Sequence, residues 1–147
     1  ILMKNKTEII AIIFIMLNYT GITFAKNNFY IDAKKKYEEK KYDQSKFLFQ
    51  RNIVFNPKDH NSYLYLAKIY NVEENKEEEE KNIKTVLLLD PNNEEANYML
   101  INIELNKSNY SKVRELTSFF LEICTLLCKK ENLILENLKN LEPKNES

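Results

Sequence analysis

Pro57 and Pro91 stand 34 positions apart, and each follows an apolar stretch that ends in a polar residue, Ile53-Val54-Phe55-Asn56 and Leu87-Leu88-Leu89-Asp90. A fixed period of this length constrains the fold more than any other feature, because it makes each unit one small supersecondary element copied along the chain. Counting 34 further lands on Thr125, after Leu121-Glu122-Ile123-Cys124, so a third unit keeps the apolar pattern but has lost its proline. Tyr63, Leu66, Ala67 and Tyr70 follow i, i+3, i+4, i+7 spacing, which gathers them on one helix face. Ile83, Val86, Leu87 and Leu89 continue the pattern up to the second proline. Asn-Pro and Asp-Pro push the residue before proline out of helical geometry, so each second helix ends there. One helix pair cannot bury its apolar face alone, whereas three stacked pairs make a continuous core. Composition agrees: the one glycine is Gly21, and the abundance of Lys, Glu and Leu favours helix over sheet.

Residues at fixed offsets within the period carry a family resemblance. Ala33 and Ala67 supply a small residue where helices cross closely, and the third unit puts Ile101 there. Tyr42 and Tyr110 supply an aromatic at the turn between helices, where the middle unit has Lys76. Phe49, Ile83 and Thr117 share one large core position. Asn52, Val86 and Phe120 share another that is usually alanine, and Glu79 stands where a small residue is expected. Over residues 26–125 this pattern resembles the tetratricopeptide-repeat (TPR) family, degenerate at single positions but in register. The resemblance implies an all-α fold, a right-handed superhelical stack of antiparallel helix pairs with repeats near 26–59, 60–93 and 94–127. Beyond them, Leu133, Ile134, Leu138 and Leu141 fall on one face and predict a capping helix over 131–141. Residues 143–147 read as a frayed tail. No breaker lies between Ser111 and Leu127, so the sixth helix is expected to outrun its predecessors by a turn, or to continue into the cap.

The N-terminus reads as an export signal. Met3 is taken as the initiator, Lys4 and Lys6 precede the apolar run 9–17, and Ala25 supplies a small residue at the cleavage point. The run is short for a spanning helix, which needs about 20 apolar residues. An uncleaved anchor over 1–25 is the other reading, and it is the only route by which this chain would meet a membrane. Either way the remainder is expected outside the cytoplasm, periplasmic or secreted, or anchored to the inner membrane and facing outward.

Little in the chain suggests catalysis. The 22 basic and 22 acidic residues cancel, so no global field draws nucleic acid. His60 is the only histidine, which leaves no imidazole relay and no zinc-ligand spacing; it reads as an exposed loop residue. No glycine-rich phosphate loop is present, and no cofactor or metal is expected. The acidic run 73–80 lacks the alternation of a calcium loop and reads as a solvated turn leading into an acidic helix start. Cys124 and Cys128 lie four apart on the expected sixth helix, a spacing barely compatible with a disulfide. Their apolar neighbours favour two buried, reduced thiols over a disulfide, with a redox or metal role as the third reading.

The resemblance implies a concave groove lined by the first helix of each unit. Its family positions fall on Asn27, Tyr30, Lys34 and Tyr37, then on Asn61, Leu64, Tyr65, Lys68 and Asn71, then on Tyr98 and Asn102. Tyrosine offers rigid contact area, asparagine can bond a peptide backbone, and lysine suits an acidic group. The expected function is therefore an extracytoplasmic adaptor that holds a peptide or protein partner. The alternative is a structural subunit that assembles through its cap and last repeat. The carboxylate-clamp residues of chaperone-binding TPR domains are missing: Tyr30, Lys34, Tyr65, Glu95 and Met99 occupy those places, and only Lys34 is basic. Neither the identity of the partner nor an oligomeric state follows from the residues.

Overall fold

The structure is a computed structural model that describes residues 28–141. The expected export signal over 1–25, Asn27 and the expected tail over 143–147 lie outside the described residues. Within them the chain forms seven α-helices and no strand. They are α1 (Phe29–Glu38), α2 (Tyr42–Phe55), α3 (His60–Val72), α4 (Lys76–Leu89), α5 (Glu94–Asn106), α6 (Tyr110–Ile123) and α7 (Glu131–Leu141), with a 3-10 turn at Cys128–Lys130 before the last. None is long and apolar enough to cross a membrane. Consecutive helices pack side by side, and α7 packs against both α5 and α6.

The boundaries repeat at the 34-residue offset. α2, α4 and α6 begin at 42, 76 and 110 and end at 55, 89 and 123; α1, α3 and α5 end at 38, 72 and 106. The turns repeat too. Lys40, Glu74 and Ser108 each adopt φ 58°, the left-handed conformation that closes the preceding helix. The amides of Lys41, Asn75 and Asn109 reach back five residues to the carbonyls of Lys36, Tyr70 and Glu104 and satisfy helix-end acceptors. Glycine is the usual residue at such a position, and none of the three turns has one. Asn28, Asn75 and Asn93 cap helix starts by accepting from the amides of Ile31, Glu78 and Ala96.

Three side-chain clusters form one line of core. Ala33, Phe49, Leu66 and Ile69 fill the first, Leu64, Ala67, Ile83 and Val86 lead the second, and Ile101, Val113, Phe120 and Ile134 lead the third. The crossing-position residues Ala33, Ala67 and Ile101 are all fully buried. The polar misfits are accommodated by bonding. Asn52 donates to Asp59 (2.7 Å) and to Ser62 (2.9 Å), and Ser62 donates to Asp59 (2.7 Å). Glu79, 2 % exposed, accepts from Asn71 (2.7 Å) and Lys76 (3.0 Å). A buried polar group so satisfied is tolerated, whereas an orphaned one costs about 1–3 kcal/mol.

Several expectations are corrected. α6 is no longer than α2 or α4 and does not run into the cap; it ends at Ile123, and Cys124 is extended. Cys124 and Cys128 therefore do not share a helix, and they form a disulfide instead of remaining two reduced thiols, with Cα atoms 5.3 Å apart. The physical reason is the break itself, since a loop lets the Cα atoms approach within the usual disulfide range. The cap buries Ile134 and Leu138 but leaves Leu133 and Leu141 exposed, because its axis turns only one narrow stripe to the core. His60 is not a loop residue: it opens α3, with Nε2 3.7 Å from the Asp90 carboxylate. The acidic run does open a helix, with Glu77, Glu78 and Glu79 in the first turn of α4, but it is not merely solvated, since Glu73, Glu79 and Glu80 are tied to Lys46, to Asn71 and to Lys107.

Candidate functional site

The inward residues of α1 and α3 build a shelf of interlocked rings. Tyr65 stacks on the fully buried Phe49 with centroids 4.9 Å apart and planes 10° off parallel. Tyr37 meets Tyr65 edge-on at 5.0 Å, and Tyr30 meets both Phe49 (5.8 Å) and Tyr65 (6.2 Å) edge-on. Tyr42 closes the row against Tyr37 at 5.7 Å. Offset and edge-to-face pairs of this kind each add about 0.5–1.5 kcal/mol beyond area burial, so the shelf is rigid. Burial, then the neighbouring Tyr65 and Asp59, raises the pKa of the Tyr30 hydroxyl above its ordinary value. Burial also raises that of Tyr37, with help from Tyr42, Glu95 and Tyr65. Both hydroxyls thus stay protonated donors. Among the described residues the hydroxyls of Tyr30, Tyr37 and Tyr65 make no hydrogen bond, unlike those of Tyr63, Tyr70 and Tyr110.

Charge is unevenly available beside the shelf. Lys68 lies 4.9 Å above the Tyr65 ring and pairs with Glu95 at 2.7 Å, so its charge is already matched inside the molecule. Lys34 is exposed on α1 and forms no ion pair among the described residues. The third unit contributes Tyr98, which tilts against Phe120 at 6.3 Å and lies under Lys130 at 5.4 Å. Asn102 on the same helix donates to the Tyr98 carbonyl (3.1 Å).

The structure thus brings together Tyr30, Tyr37, Tyr65 and Lys68, with Lys34 on α1 and Tyr98 and Asn102 on α5. Asn61 is half-buried on α3. Two expected groove residues are elsewhere. Leu64 is buried in the middle core cluster, and Asn71 is the partner that satisfies Glu79. Both lie on the helix bearing Tyr65 and Lys68, and a family position alone could not show that a buried carboxylate on the next helix would claim Asn71. Two contributors were not expected: Phe49 as the platform under Tyr65, and Glu95 as the counter-ion of Lys68. Their sequence signal is weak, since both contacts cross from one unit to the next.

One open cleft lies away from the shelf and another adjoins it at Tyr30. The first is lined by Leu87, Pro91, Asn97, Leu116 and Phe119, the second by Tyr30, Asn52, Phe55 and Asp59. Tyr30 belongs both to the second cleft and to the shelf. No group of three or more His, Cys, Asp or Glu side chains among the described residues could hold a metal ion. No protein-family model matches the chain, and no curated protein matches it either.

Proposed function

We propose that this chain is an exported scaffold of TPR type, a right-handed superhelical stack of helix pairs that holds an extended peptide or protein segment across the inner faces of α1, α3 and α5. The observation that carries the reading is the tyrosine shelf, a row of rings on α1 and α3 whose three hydroxyls are unengaged among the described residues, with the exposed Lys34 also on α1. Rings on a fixed platform lose little entropy on binding, which is why tyrosine is enriched at interfaces. Free phenol hydroxyls suit the carbonyls of an extended backbone, and Lys34 suits a carboxylate near it. The 34-residue recurrence of helix ends and left-handed turns supports the repeat reading, and the basic-then-apolar segment before Ala25 supports export.

A photo-crosslinking residue introduced in place of Lys34, in living cells, tests the groove directly against one in place of the outward Leu88. Adduct from position 34 that disappears in a Tyr37→Ala background is the expected result. Equal adduct from both positions sinks the groove. Sequencing the mature N-terminus of the same sample tests export, with a start after Ala25 expected.

One observation favours a second reading, a structural subunit. The outer face of α7 leaves Leu133, Leu135 and Leu141 exposed at 41, 47 and 53 %. If that face is an assembly surface, Leu133→Lys with Leu135→Lys dissociates a complex that Lys34→Glu leaves intact.

A further inference from the structure

The segment 124–130 that joins α6 to α7 is fastened three ways. Cys124 and Cys128 are bonded to each other across it. The Glu94 carboxylate, at the first turn of α5, accepts from the amides of Thr125 (2.7 Å), Leu126 (3.0 Å) and Leu127 (2.8 Å) and from the Thr125 hydroxyl (2.6 Å). Beyond it α7 lays Ile134 and Leu138 over Ile101, Val113 and Phe120, and the Tyr110 hydroxyl donates to the Leu141 carbonyl (2.6 Å). Three successive amides can converge on one carboxylate only while the backbone holds its turn. The disulfide is the covalent tie across that turn.

We propose that the Cys124–Cys128 disulfide is a reducible latch on the cap. Reducing it relaxes the turn, weakens the grip of Glu94, and frees α7 from the end of the core while α1 to α4 stay folded. Release also lifts Lys130 off the Tyr98 ring. Position makes the effect local, because α7 packs on α5, α6 and the 3-10 turn at the end of the line of core. Access is partial: Cys124 and Cys128 are half-buried, and Thr125 and Leu126 between them are exposed, Leu126 at 82 %. The reductant is a dithiol. One of its thiolates attacks a sulfur of the pair and forms a mixed disulfide, and its second thiolate displaces that bond. The dithiol leaves oxidised, and Cys124 and Cys128 leave as two thiols that have gained two electrons and two protons.

The test is hydrogen exchange on the full chain, oxidised and after treatment with dithiothreitol, with alkylation to count thiols. Amides of 131–141 are expected to exchange about tenfold faster or more after reduction, while those of α1 to α4 keep their protection. The double variant Cys124→Ser, Cys128→Ser reproduces the reduced pattern without reductant. Unchanged protection of α7 in the reduced protein overturns the latch. So does a uniform loss along the whole chain, which makes the disulfide a global staple. Should the double variant fail to fold, the reduced wild-type protein decides alone. The outcome is independent of whether the shelf binds a peptide.

Discussion

At the scale of single residues, Glu94 does the work that a proline does in the other units. Pro57 and Pro91 have no amide hydrogen, whereas Thr125 in the same register donates one to Glu94. The hydrogen bond from the Thr125 side chain and those from the backbone of Leu127, Thr125 and Leu126 hold the Glu94 carboxyl down to about 2. Its folded pKa lies below the ordinary 4.5, so its stabilisation is complete above pH 4.5 and is lost as pH falls toward 2. Thermal melts from pH 5 to pH 2 should show a falling Tm in the wild-type protein and a flatter profile in Glu94→Gln; identical slopes refute the assignment. The three left-handed turn residues make a second residue-scale prediction. A side chain at φ 58° costs about 1–2 kcal/mol, partly offset by the entropy that glycine adds to the unfolded chain. Lys40→Gly, Glu74→Gly and Ser108→Gly should each stabilise by about 0.5–1 kcal/mol in urea titration. A destabilisation at any of them means that the gain in unfolded-chain entropy outweighs the relief of strain at that turn.

At the scale of elements, the junctions between helix pairs are stitched by the same ion pair with its signs exchanged. Lys46 on α2 pairs with Glu73 after α3 at 2.5 Å, and 34 positions on Glu80 on α4 pairs with Lys107 after α5 at 2.6 Å. The bond to Glu73 raises the Lys46 pKa, and the bonds to Lys107 and then Lys84 lower that of Glu80. The lysine contribution is therefore present below pH 10.5 and lost as pH rises through its raised value, while that of Glu80 is present above pH 4.5 and lost on acidification. Lys46→Glu should cost about 0.5–1 kcal/mol, and adding Glu73→Lys should recover most of it, giving the first junction the polarity of the second. A double-mutant cycle with no coupling shows the pair to be idle. The exchanged signs also give each junction an electrostatic reason to reject the wrong neighbour, since a helix pair moved one unit along would oppose like charges.

At the scale of the molecule, Phe49 links stability to the shelf, for it fills the first core cluster and lies under Tyr65. Phe49→Ala should cost about 3–5 kcal/mol and abolish capture of a partner at position 34, whereas Lys34→Glu, read with the crosslinker moved to Asn61, should abolish capture without touching stability. Loss of both properties in Lys34→Glu contradicts that division. At the other end Leu138→Ala should cost about 2–4 kcal/mol and loosen the cap first, which tryptic cleavage at Lys129 and Lys130 would report. The linear order of the clusters means that damage at one end reaches the other only through the intervening units.

Much of the helical layout was legible from the 34-residue period. Pro57, Pro91 and the apolar stretches before them mark where α2 and α4 stop, and the small residues Ala33 and Ala67 mark buried positions, because these are local or strictly periodic signals. The chain by itself also marks the last helix, whose apolar stripe holds Ile134 and Leu138. What only the tertiary structure decided are the contacts between elements: that α6 stops where Glu94 collects the amides of 125–127, that this stop brings Cys124 to Cys128, that Asn71 belongs to Glu79, and that Lys68 is already matched by Glu95. All but the disulfide join a helix to another helix or to a linker, and the disulfide follows from the stop that one of them sets. Periodicity tells which face of a helix is inward, whereas the partner of an inward polar group depends on distances that exist only after the helices have packed.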